Sequence, residues 1–281
     1  TADPAQVKPS FENLTALTVP TTYLAAVFTE TVEGEYDEKE FRFPVKESAA
    51  RFPFANCSKL TTVTLPEGLK SIEGLFYGCK GLTQIRLPES LESIGNCAFE
   101  ESGLTELTVP GKVRRIGYSA LAETPVVRVT LPKGVEVIDE GAFTACTALE
   151  ALVLPDSVKE IGTGAFSDCT ALKTVRFPAG IDIGNGSFRG CESLTELAVP
   201  ERATVRWLAF AECAGLERVS IHDTVILEGE QTFGECVKLK EIDLPKTGID
   251  NILCVTFGDC LSLEEIRIPG TVRELDGTFY N

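Results

Sequence analysis

Cations are scarce in this chain: 26 Lys and Arg stand against 42 Asp and Glu, a formal net charge of −16. That deficit argues against a nucleic-acid partner, because a phosphate-backbone footprint needs clustered Lys and Arg. It favours solubility and cationic partners. Methionine is absent, although an average soluble chain of this length carries several. Histidine occurs once, as His222, and has no second ligand or catalytic partner in sight. No run of about 18 apolar residues exists, so no segment is expected to span a membrane as a helix. A Gly-rich phosphate loop, a His-rich metal cluster and a Ser-His-Asp set are missing too. Carboxylate pairs abound, as they must in an acidic protein, and so do not by themselves suggest acid/base chemistry. The expectation is a chain that is not an enzyme, with no catalytic, cofactor-binding or metal-ligating residues. It begins at Thr1 with neither a basic n-region nor an apolar h-region, as expected of a mature or trimmed chain.

What the chain does have is one phrase repeated. L-x-x-[VIL]-x-[LVIF]-P recurs every 22 to 24 residues, starting at Leu60, Leu82, Leu104, Val126, Leu149, Leu172, Leu194, Leu216, Leu239 and Leu263. His222 stands once where the proline should be. A unit this short cannot close its own core and must bury its apolar face against its neighbours. The chain is therefore a solenoid.

Within the unit Leu149–Pro155, alternation places Leu152 and Leu154 inward on a short half-buried strand, and the proline ends it because it cannot donate to a ladder. Val158 and Ile161 form a second apolar pair, and Gly162 fits a tight reversal. Ala165-Phe166-Ser-Asp-Cys169 then reads as about one helical turn, with Phe166 and Cys169 three apart on a common face. Eight of the ten cysteines close this F-x-x-C phrase, but Ser102 and Thr124 replace cysteine in two repeats. A bridged cysteine would not tolerate that exchange, so the column is expected to hold free buried thiols that behave as small hydrophobes. Cys97 and Cys254 lie off the column.

Before Leu60 the pattern degenerates. Asn13–Pro20 carries Leu14, Leu17 and Val19, and Phe41-Arg-Phe43-Pro44 reads as a second degenerate unit. Residues 1–59 are thus expected to be N-terminal capping repeats, continuous with ten regular repeats over 60–281. Asn281 falls within the last unit, with no polar cap evident in the sequence.

The full unit, L-x-x-[IV]-x-L-P-x-x-[VL]-x-x-I-G-x-x-A-F-x-x-C, resembles the BspA-type, or Treponema pallidum-type, leucine-rich repeat. Residues 82–103, 149–171 and 172–193 match it best. The resemblance implies an α/β, strand-rich leucine-rich repeat solenoid, with a parallel sheet along one face and short helical turns on the other. It further implies a bacterial protein, secreted or displayed on the cell surface, that adheres to a host or bacterial surface protein or glycan and has no catalytic residues. A structural spacer that presents other modules is the alternative. On the outward strand face the candidate partner-binding residues are Arg86, Glu106, Thr108, Arg128, Thr130, Arg176, Glu196 and Arg218. Trp207 is added because it fills a flank slot held elsewhere by Asn96, Tyr118, Thr163 or Asn185, and an exposed tryptophan is a plausible contact hot spot.

Overall fold

A computed structural model describes residues 14–18, 54–246, 251–252, 256–275 and 277–279. Each L-x-x-x-x-L-P phrase runs extended with its fourth and sixth positions turned inward, as the alternation requires. Eight of the regular repeats carry three- or four-residue parallel strands, Thr62–Thr64, Glu106–Thr108, Arg128–Thr130, Ala151–Val153, Thr174–Arg176, Glu196–Val199, Arg218–Ile221 and Glu241–Asp243. Register is strict: Leu152 pairs with Val175, and Leu197 with Val219. A slip of one residue would expose every one of these side chains.

The longest ladder lies elsewhere. Two-residue pieces from Ser71–Ile72 to Ile226–Leu227 form one uninterrupted eight-stranded parallel sheet. The strand face expected to carry a single sheet is divided into shorter hydrogen-bonded groups, and Gln84–Arg86 is extended without joining a strand. The solenoid thus has parallel sheets on two faces.

The expected helical turns do not form, and no helix occurs among the described residues. A helix needs each N–H to bond four residues back in its own segment. Here the N–H groups of Phe76, Phe99, Phe143, Phe166, Phe188 and Phe210 donate instead to the carbonyls of Ala98, Ala120, Ala165, Ser187, Ala209 and Thr232 in the following repeat, at 2.7 to 3.0 Å. Two residues on either side of Phe, the chain turns through left-handed conformations, at Cys97 (φ 50°) and Glu101 (φ 54°) or at Leu208 (φ 56°) and Glu212 (φ 59°). These N–H groups also cross to the next repeat, as Glu101 does to Ala122 and Leu208 to Glu230. The turn edge is a third inter-repeat ladder, so it advances with the strands at one repeat per step. The glycine after isoleucine has a different reason from the reversal its spacing suggested. Gly162 has no positive φ, and a Cβ there would lie 2.4 Å from the backbone nitrogen of Glu140 in the preceding repeat.

Inside these ladders sits one continuous core. Leu152, Leu154, Val158, Ile161, Ala165, Phe166 and Cys169 are all buried. Phenylalanines stack along the axis: Phe143, Phe166 and Phe188 have ring centroids 5.0 and 5.1 Å apart, nearly parallel. The described cysteines are free. Those of the column are buried, and from Cys79 onward their Sγ–H groups donate to the carbonyl of the residue at the phenylalanine slot of the preceding repeat, as Cys169 does to Phe143 and Cys213 to Phe188, both at 3.2 Å. Thr124 fits the same slot by donating to Leu121 at 2.7 Å. Cys254 lies outside the described residues.

At the N-terminal end, Ala16–Thr18 pairs directly with Thr62–Thr64, and Phe54 stacks on Phe76. The degenerate strand expected at 41–44 lies outside the described residues, and the place beside 62–64 is taken by 16–18.

Candidate partner-binding face

Alternation that buries Leu107, Leu152, Leu197 and Val219 turns their neighbours out, so Arg86, Glu106, Thr108, Arg128, Thr130, Arg176, Glu196 and Arg218 are all exposed. Register brings part of this set together. Glu106 stands beside Arg128 and Thr108 beside Thr130. Arg176 stands beside Val153, which is 66% exposed, and Thr174 beside Ala151. The strand Arg128–Thr130 packs next to Ala151–Val153, so Arg128, Thr130, Val153 and Arg176 form one patch across three repeats. Val153 is the member that was not singled out from the sequence. Its signal was present, as a β-branched apolar side chain at an outward strand position.

Arg218 does not belong to that patch. Its guanidinium is ion-paired with Glu196 on the adjacent strand and faces Glu241 on the other side. The hydrogen bond to Glu196 holds the Arg218 pKa above its ordinary value. Pairing of this kind is general where repeats stack. Lys70 meets Glu92, Lys159 meets Glu136 and Lys240 meets Glu217, each joining one repeat to the next. Among the described residues Arg86, Arg128 and Arg176 have no such carboxylate partner. Trp207, 53% exposed, sits on the turn edge, away from the strand face.

Burial raises both the Cys97 thiol and the Glu100 carboxyl, which favours the neutral forms. His222 is exposed, and its Nδ1 meets Thr224 at 3.0 Å in the turn it occupies. Among the described residues no group of three or more His, Cys, Asp or Glu converges as a metal site, and there is no helix long and apolar enough to cross a membrane.

A family model for the BspA type leucine rich repeat region, in six copies, matches residues 73–194, 114–225 and 170–281. Among solved structures, a leucine-rich repeat protein from Bacteroides ovatus is 28% identical, with a TM-score of 0.54, over 79% of this chain and 70% of that one. The leucine-rich repeat protein of T. pallidum is 26% identical over 61% of this chain and 78% of its own, with a TM-score of 0.48. A leucine rich cell surface protein from Faecalibacterium prausnitzii is 27% identical over 75% and 66% respectively, with a TM-score of 0.42. A search of curated proteins finds no match.

Proposed function

Because the chain belongs to the BspA-type leucine-rich repeat family, we infer that it is a secreted or cell-surface protein that binds a macromolecular partner through its outward strand face. Recognition is by surface complementarity, without turnover. The observation that carries this reading is the patch of Arg128, Thr130, Val153 and Arg176, which combines two cations without carboxylate partners and an exposed apolar side chain. Arginine beside apolar surface is the composition of interface hot spots. Adhesion is the biological role this binding would serve. In this reading residues 1–59 cap the N-terminal end of the stack and 60–281 carry the binding repeats.

The test is an array of extracellular-matrix and bacterial surface proteins and glycans, probed with the wild-type chain, with an Arg86→Ala/Arg128→Ala/Arg176→Ala variant, and with Arg218→Ala. The triple variant is expected to keep its fold and lose at least about tenfold in affinity for whatever the wild type binds, since hot-spot truncations cost that much or more. Arg218→Ala, whose charge Glu196 already neutralises, should change it little. Specific binding that the triple variant retains would move the site off this face. No specific binding by any of the chains would favour the spacer reading.

A further inference from the structure

Three departures from the repeat coincide at one place on the turn edge. The slot after the second short strand is glycine at Gly95, Gly117, Gly162 and Gly184 and acidic at Glu73, Asp139 and Glu228, but a cation at Arg206. The next slot holds Trp207, the only tryptophan in the chain. In the following repeat one extra residue separates strand from turn, because Val205 precedes Phe210 by five positions whereas Leu227 precedes Phe233 by six. Because Val205 pairs with Leu227, Glu228 stands beside Arg206, and its carboxylate meets the guanidinium at 3.2 Å. Arg206 is held on its other side by Asp182, through paired bonds of 2.8 and 2.7 Å. Asn185, Arg206, Trp207 and Glu228 line a shallow concavity of about 300 Å³.

The geometry points to a binding site for a non-anionic saccharide in this concavity. A sugar ring offers a C–H face that stacks on an indole, and hydroxyl groups that need donors and acceptors beside it. Here the indole is more than half exposed. The Asn185 amide and one Glu228 oxygen have no protein partner, and Arg206 fixes the position of that carboxylate. A protein hot spot would surround tryptophan with apolar packing that excludes water, whereas this rim is polar. One cation between two carboxylates leaves a net negative charge, which disfavours sialic and uronic acids. The site is on a different face from the strand patch and stands or falls independently of it.

Because Trp207 is the only tryptophan, its emission reports on this site alone. Titration with glucose, galactose, mannose and N-acetylglucosamine oligosaccharides should give a saturable change in emission for at least one of them, and sialylated or uronic-acid oligosaccharides should give a weaker one. By calorimetry, Trp207→Ala should lower that affinity at least about tenfold, Glu228→Gln should lower it severalfold, and the Arg86/Arg128/Arg176 alanine variant should leave it unchanged. The assignment is overturned by emission that no neutral saccharide alters, by binding that survives Trp207→Ala, or by a preference for the anionic sugars.

Discussion

Phe166 shows how much a single position carries. It is fully buried, and its ring lies between those of Phe143 and Phe188 at about van der Waals stacking distance. Phe166→Ala should destabilise the protein by about 3–5 kcal/mol, the usual range for a buried aromatic, measured by urea denaturation. An unchanged midpoint would show that the ring stack does not support the core. The thiol column makes a second residue-scale prediction. Burial pushes Cys79 and Cys213 up to about 12, and Cys146 and Cys260 up to about 11. An unfolded thiol ionises near about 8.5. The folded state therefore prefers the neutral thiol, and the stability this confers is fully present below that value and is lost as pH rises toward the folded pKa values. Each such thiol should remove on the order of 1 kcal/mol per pH unit in that window. Denaturation at pH 8 and pH 10 should differ by several kcal/mol, and equal stability at both would contradict the buried thiols.

At the scale of the element, backbone proximity between repeats decides what is tolerated. A Cβ at Gly162 would meet the Asp139–Glu140 peptide at 2.4 to 2.6 Å, and backbone cannot yield as a flexible side chain can. Gly162→Ala should cost about 1–3 kcal/mol, as overpacked sites do. Gly111 has open space around its missing Cβ and no positive φ, so Gly111→Ala should stay within about 0.5 kcal/mol of wild type. Thermal melts of the two variants distinguish close approach from a general need for glycine. The inter-repeat ion pairs contribute much less, since exposed pairs are worth about 0–1 kcal/mol.

Across the whole molecule, stability is shared between neighbours along one axis. Central repeats bury most of their inward apolar residues, whereas Leu263, Ile266 and Val272 are only partly buried and Leu275 and Phe279 are exposed. Amide hydrogen exchange should therefore be slowest between residues 94 and 221 and progressively faster toward 256–279, in the manner of local opening from an end. Uniform protection along the chain would mean that the stack opens as a single unit.

The inward column was legible from the sequence, because Leu, Ile, Phe and Cys recur at a fixed spacing and only one packing buries all of them. The free thiols followed from Ser102 and Thr124 standing in the same slot. The outward strand positions followed from alternation. Tertiary structure decided the rest, since spacing says which residues share a face but not where a backbone N–H finds its acceptor. F-x-x-C reads as a helical turn when taken by itself. Once repeats are stacked, the Phe166 N–H has the Ser187 carbonyl at 2.7 Å, and the helix loses its first bond to the next repeat. The same stacking paired Arg218 with Glu196 while leaving Arg176 beside Val153, because partners across a ladder are set by register between repeats, which no single repeat contains.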